Sequence, residues 1–291
     1  KIKKKLNVII EKKIIYVSDN IGYLYALNYD YKKLLWAKNY KIPFRSNIKI
    51  TKNKIVLADQ DNNLYFINKR DGEKLKTIPT EESVLKNDFV NSLALNNNNL
   101  FYLNTYGSLY SIANKNLAIN WFINLNQSLD LNINNLFYSN PITIYKDRTI
   151  VSTDPHHYIL NTLSGSMIFK KSITSILQPI ISNENLFLIT NNNLLVCINI
   201  NSGEIIYSID ISQEIANFLE SKKKKSVTVN SLLIVNSNLF IFLENSFIIK
   251  LNANGKILKI DKLKEKMGTP PIFINDSILY LNKKNKLVVT N

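Results

Sequence analysis

The chain repeats itself, and the repeat constrains the fold more than any other feature. Seven segments align, beginning at Lys13, Lys54, Asn99, Arg148, Asn185, Asn238 and Ser277. Their starts lie 41, 45, 49, 37, 53 and 39 residues apart, a mean of 44. Within the first, residues 14–17, 23–27 and 34–37 read as strands, with turns at 19–22 and 28–33. A further apolar stretch precedes each segment, at 7–10, 47–50, 92–95, 142–145, 179–182, 232–235 and 272–274. Four strands per unit at a period in the forties is the spacing of propeller blades. The pattern predicts an all-β fold, a β-propeller of four-stranded antiparallel blades with seven repeat units, as a single domain over residues 1–291. The one helix expected is 213–219, in a blade connection behind Ser212, with Glu214 in its first turn.

The glycines test this reading. The chain holds only 7. Gly72, Gly165, Gly203 and Gly255 fall at the second turn of their segments, and Gly22 and Gly107 at the first. Tight hairpin turns need a positive φ, which costs glycine nothing. Asn28, Asn68, Asn161, Asn199, Asn252 and Asn291 follow the middle strands, where a side-chain amide can accept from the turn backbone. Trp36 and Trp121 close the last strand of their units, and Phe169 and Tyr207 take the same place elsewhere. A large ring there can cover the join between blades.

Composition narrows the function classes. The formal charge is +15, which suits an anionic neighbour. Lys, Asn and Ile dominate throughout, as in runs such as residues 96–99, so the excess also fits base composition of the coding sequence. Cys197 is the only cysteine, so no internal disulfide can form; its apolar strand context reads as a small buried thiol. His156 and His157 are the only histidines, and neighbours on a strand point to opposite faces, which disfavours a shared metal. No phosphate-binding glycine loop or nucleophile elbow is present, and basic residues are spread along the chain rather than gathered on one nucleic-acid-binding module. No apolar run reaches 18 residues; residues 1–5 are basic, but the apolar stretch behind them is too short for a signal peptide. The chain reads as a mature or cropped fragment.

Ala26-Leu27-Asn28, Asp71-Gly72-Glu73, Ser202-Gly203-Glu204 and Trp36 resemble the repeat of the PQQ-type propellers: an aliphatic strand, Ala-Leu-Asp, Thr-Gly-Lys and a closing Trp. Size, the absence of other domains and Pro43-Phe44-Arg45-Ser46 narrow the resemblance to BamB-like outer-membrane assembly lipoproteins of alphaproteobacterial type. Their propellers are usually eight-bladed, which implies that an upstream blade and a closing strand lie outside this chain; the alternative is a seven-bladed ring left without one strand. The resemblance implies a non-catalytic scaffold with no cofactor and no metal, monomeric within a complex at the periplasmic face of the outer membrane, held there by an upstream lipid anchor. The implied partner is the periplasmic part of a BamA-like barrel-assembly protein; nucleic acid is not. Mapped onto this chain, the family's partner surface falls on the connections 85–89 and 134–140, with Leu85, Lys86, Asp88 and Phe89 as contacts and Arg45 on a neighbouring connection. The second connection lacks the acidic residues that the family carries there. Two other readings stay open: a PQQ-dependent dehydrogenase-like propeller, for which the chain lacks a Cys–Cys pair and an acidic cluster at matching loops, and a propeller that binds envelope polyanions through its charge.

Overall fold

The structure, a computed structural model, describes residues 5–82, 90–126, 136–221, 223, 227–275 and 277–290. The fold is an all-β propeller type of seven antiparallel sheets. The first sheet runs β1 (Leu6–Glu11), β2 (Ile14–Asp19), β3 (Tyr23–Asn28) and β4 (Lys33–Asn39), hydrogen-bonded in sequence order. The second runs β5 (Lys49–Ile50), β6 (Lys54–Ala58), β7 (Leu64–Asn68) and β8 (Lys74–Ile78). The third runs β9 (Ser92–Leu95), β10 (Asn99–Leu103), β11 (Ser108–Ala113) and β12 (Ile119–Asn124). The fourth and fifth comprise β13 (Thr143–Tyr145), β14 (Arg148–Ser152), β15 (His157–Asn161), β16 (Met167–Lys171), and β17 (Ile180–Ser182), β18 (Asn185–Ile189), β19 (Leu194–Asn199), β20 (Ile205–Asp210). The sixth comprises β21 (Val229–Val235), β22 (Asn238–Leu243), β23 (Phe247–Asn252) and β24 (Ile257–Lys262). The seventh has three strands among the described residues, β25 (Ile272–Ile274), β26 (Ser277–Leu281) and β27 (Leu287–Thr290). The chain divides into two compact units: residues 1–153 with 159–168, and residues 154–158 with 169–291.

Within the first unit, sheets stack through faces set by strand alternation. Tyr16, Leu24 and Ala26 of the first sheet pack against Ile55, Leu57 and Ile67 of the second. The other face of the second sheet, with Val56, Ala58, Leu64 and Phe66, packs on Leu93, Leu100, Tyr102 and Ile112 of the third. The middle strands of the second sheet are apolar on both faces because that sheet lies between two others. In the second unit the fifth and sixth sheets share a core of the same kind, containing Phe187, Leu195, Leu239 and Ile249.

The glycine turns supply the outer joins. Gly72 has φ +74, and a Cβ there would lie 2.7 Å from the ring of Trp36. The Trp36 indole also donates to the Lys69 carbonyl at 3.1 Å. Trp121 repeats the arrangement over Gly165, donating to the Thr162 carbonyl at 3.2 Å. In the second unit Phe169 lies on Gly203 and Tyr207 on Gly255. The closing aromatic of one sheet thus seats on the glycine turn of the next. The asparagines act as their position implies: Asn199 Oδ1, for example, accepts from the Asn201 and Ser202 amides at 2.9 and 3.0 Å.

The helix differs from expectation by its start. It is α1 (Ile211–Phe218), capped by Asp210 and not by Ser212; the Asp210 carboxylate accepts from the Gln213 amide at 3.0 Å. Burial decides between the two capping residues. With Asp210 as cap, Ile211 and Ile215 share one face and both enter the core of the second unit.

Candidate functional site: the connections of the first unit

In an up-and-down sheet, the turn between the second and third strands and the exit of the fourth lie at the same end. The connections leading to the next sheet therefore run beside these first hairpin turns, and hydrogen bonds tie them together. The connection after β4 enters through Pro43-Phe44-Arg45-Ser46. Phe44 is buried at 2% exposure, edge-on to Tyr65 with ring centres 5.8 Å apart. Ser46 is buried too, and its hydroxyl accepts from the Ala58 amide at 2.7 Å. Arg45, between them, is half-buried, and its backbone is used on both sides: its amide donates to the Ala58 carbonyl at 2.9 Å and its carbonyl accepts from the Asn91 amide at 2.7 Å. So the Phe and Ser of this phrase are anchors, and they hold Arg45 at a fixed place.

The Arg45–Asn91 bond belongs to a parallel bridge between Ser46 and Asn91, which sets the first connection beside the second. Asn47 continues the alignment, its amide group making two 2.9 Å bonds with the Leu93 backbone. The third connection follows in turn. The Ile142 amide donates to the Ser92 hydroxyl at 2.9 Å, Ser139 bridges Thr153, and the Phe137 amide donates to the Thr105 carbonyl at 2.7 Å. Three consecutive connections are thereby held in register. Between the second and third lies a pocket of about 260 Å³ walled by Asn47, Val90, Asn91, Ser92, Tyr138 and Asn140. Val90 at 62% exposure and Tyr138 at 65% stand at its margin as large apolar side chains open to solvent.

Of the residues singled out from sequence, the structure places Arg45 in this array. Leu85, Lys86, Asp88 and Phe89 lie outside the described residues, as do Asn134 and Asn135 of the other mapped connection. The described root of the 85–89 connection is strongly tied. Thr80 donates through its hydroxyl to the Asn62 carbonyl at 2.6 Å, and the Asn62 amide returns a bond to the Glu81 carbonyl at 3.0 Å. The Glu81 carboxylate accepts from Ser108 Oγ at 2.6 Å, Tyr110 Oη at 2.9 Å and Asn104 Nδ2 at 2.5 Å. Partial burial would raise its pKa, but hydrogen bonds led by that from Ser108 outweigh it and hold the carboxyl below its usual range. Asp59, in the neighbouring first turn, is raised by burial despite bonds from Asn63.

Val90, Asn91 and Tyr138 were not singled out from the sequence, although Tyr138 lies within 134–140. A second repeated signal was also present. Asp19 ends the second strand of its unit and Asp59, Asn104 and Asn282 directly follow theirs, and each accepts from two amides of the first turn, as Asp19 does from Ile21 and Tyr23 at 3.0 and 2.9 Å.

The single cysteine and His157 are both buried. Cys197 is fully buried and burial pushes its thiol up to about 11, the wrong direction for a nucleophile. His157 is buried and pushed down to about 4 by loss of solvation. Among the described residues, no group of three or more His, Cys, Asp or Glu side chains is placed to hold a metal ion. No described helix is long and apolar enough to cross a membrane.

Comparison with solved structures shows the same fold. BamB from Moraxella catarrhalis matches with a TM-score of 0.75 at 11% identity, over 98% of this chain and 83% of that one. The computationally designed Ika8 protein matches with a TM-score of 0.53 at 10% identity, over 98% and 96% of the two chains. No curated protein matches by sequence. The family model of outer membrane protein assembly factor BamB matches residues 5–207, more than half of the chain and the whole of the array of connections just described, and the chain belongs to that family.

Proposed function

We propose that the protein is a non-catalytic scaffold of outer-membrane β-barrel assembly, working on the periplasmic side of that membrane and binding the periplasmic part of a BamA-like protein. The observation that carries this reading is the array of three connections locked in register, with exposed Val90 and Tyr138 flanking a pocket of about 260 Å³ and Arg45 fixed beside it. Aromatic, apolar and Arg anchors around a small pocket, held by a rigid frame, are the usual ingredients of a protein-binding hot spot. Membership of the BamB family supports the partner class. Leu85, Lys86, Asp88 and Phe89 are proposed to extend the same surface, since the root of their connection is held by Thr80 and Glu81.

The test is binding of the periplasmic domains of the cognate BamA-like protein to the intact chain, measured by calorimetry. Val90→Asp with Tyr138→Asp is expected to weaken binding at least about tenfold, as loss of hot-spot anchors does. Lys86→Glu with Asp88→Ala is expected to weaken it less, by the amount that charges at a rim contribute. Unchanged affinity in both variants, each shown to be folded, would overturn the reading.

A further inference from the structure

The opposite end of the same sheets carries a different kind of site. A pocket of about 540 Å³ opens where the β5–β6 turn, the β9–β10 turn and the β11–β12 turn meet. Three lysines line it, Lys52, Lys54 and Lys115, and no Asp or Glu does. None of the three has an ion-pair partner among the described residues, whereas lysines at nearby turns and strands do. Lys13 pairs with Asp30 at 2.6 Å, Lys69 with Glu11 at 2.5 Å and Lys38 with Glu73 at 2.5 Å. The chain supplies a counter-charge to those lysines and withholds it here.

Amides fill out the wall. Asn96 spends its side-chain oxygen on its own turn, accepting from the Asn98 and Asn99 amides at 3.0 and 2.7 Å. Asn53, Asn97 and Asn98 also line the pocket, and no hydrogen bond of the described residues engages their side chains. Asn114 is engaged in the wall, its Nδ2 donating to the Asn96 carbonyl at 3.4 Å. Unengaged side-chain amides offer both donors and acceptors, which ring hydroxyls match. Phosphate at neutral pH, largely a dianion, is chiefly an acceptor and fits the lysines better than the amide oxygens.

We propose that this pocket binds a phosphorylated sugar. The phosphate sits among Lys52, Lys54 and Lys115, and ring hydroxyls face the side-chain amides of Asn53, Asn97 and Asn98. The volume lies in the range of small-ligand sites. The same chemistry is offered by a soluble sugar phosphate and by the headgroup of a phosphorylated glycolipid. The site is independent of the connection surface, being formed by turns at the other end of the second and third sheets.

The test is calorimetric titration of the intact protein at low ionic strength with glucose 6-phosphate, inorganic phosphate and glucose in turn. Glucose 6-phosphate is expected to bind about tenfold or more tighter than either of the others, because only it meets both the charge and the amide requirements. Lys52→Glu with Lys115→Glu is expected to lose that binding. Lys264→Glu with Lys266→Glu, the same charge change in the other unit, is expected to keep it. Asn53→Leu with Asn97→Leu keeps the charge and is expected to bring glucose 6-phosphate down to the affinity of inorganic phosphate. Unaltered melting temperatures establish that the variants are folded. Equal binding of glucose 6-phosphate and inorganic phosphate, equal loss in both double variants, or no binding at all would overturn the proposal. Vesicles carrying lipid A, a phosphorylated disaccharide lipid, assign the source: tighter retention than the free sugar phosphate points to a headgroup, equal or weaker retention to a soluble ligand.

Discussion

The two ends of the sheets are built differently. At the end carrying the second hairpin turns, one contact recurs: a glycine at positive φ, and on it the closing ring of the preceding sheet, as with Gly72 and Trp36, Gly165 and Trp121, Gly203 and Phe169, and Gly255 and Tyr207. At the other end the glycines admit something different each time. A Cβ on Gly22 would lie 2.6 Å from the Ile42 carbonyl oxygen, and one on Gly107 would lie 2.9 Å from the Phe137 ring, both belonging to connections. The recurrent contact fixes how one sheet lies on the next. Once that is fixed, the connections need only reach the next sheet, and they diverge in length and content, up to the helix α1. Divergence on a rigid frame is where binding surfaces are made.

The comparison breaks most easily at the recurrent end. Gly72→Val places a branched side chain on the Trp36 ring and in a disfavoured φ region; Trp36→Ala empties the same seat and strands the Lys69 carbonyl. Each is expected to cost about 3 kcal/mol, the lower part of the range for large aromatic truncations because Trp36 is only half-buried. Denaturant unfolding measures it. If both variants unfold at the parental midpoint, the rings do not hold the sheets together.

A second effect belongs to acid. His157 is held neutral by burial with its pKa near 4, below the usual 6.5. The unfolded chain therefore takes up the proton first, and stability is lost as pH falls from about 6.5 to about 4, by roughly 3 kcal/mol in all. His157→Gln should flatten the stability–pH curve in that window. A curve unchanged by the substitution would remove His157 as its cause.

Glu81 probes the frame of the connections. Glu81→Ala takes the acceptor from Ser108, Tyr110 and Asn104. Because the side chain is only partly buried, the expected loss is about 1 kcal/mol, far less than a fully buried hydrogen-bonded charge would cost. Partner binding should weaken as well if this root positions the 85–89 connection.

Much of this contrast was legible in the sequence, for a physical reason. A repeated contact writes a repeated residue: glycine where φ must be positive, a ring where a glycine must be covered, asparagine where turn amides need an acceptor. The capping series through Asp19, Asp59, Asn104 and Asn282 is written at a constant offset in the same way. The connections carry no such redundancy. Nothing in the spacing of Val90 or Tyr138 marks them as neighbours; a parallel bridge between Ser46 and Asn91 and the bond from Ile142 to Ser92 bring them to one pocket. The helix start shows the same limit. Asp210 and Ser212 are both good caps, and only the burial of Ile211 chooses between them.

The smallest expected effect sharpens the comparison most, because it is set between adjacent residues. Phe137 and Tyr138 follow one another in the third connection, yet Phe137 lies against Gly107 and is half-buried, while Tyr138 is 65% exposed. Consecutive residues in an extended segment point to opposite sides, so one ring serves the frame and the other faces solvent. Phe137→Ala removes packing over a turn and should cost about 2 kcal/mol, below the value for a fully buried ring. Tyr138→Ser, and likewise Val90→Ser, should change stability by no more than about 0.5 kcal/mol, as at other surface sites. The same two substitutions should lower affinity for the periplasmic partner. Stability lost at Tyr138 with affinity unchanged would mean that its ring belongs to the frame after all, and the division of labour between the two ends of the sheets would then not reach into this connection.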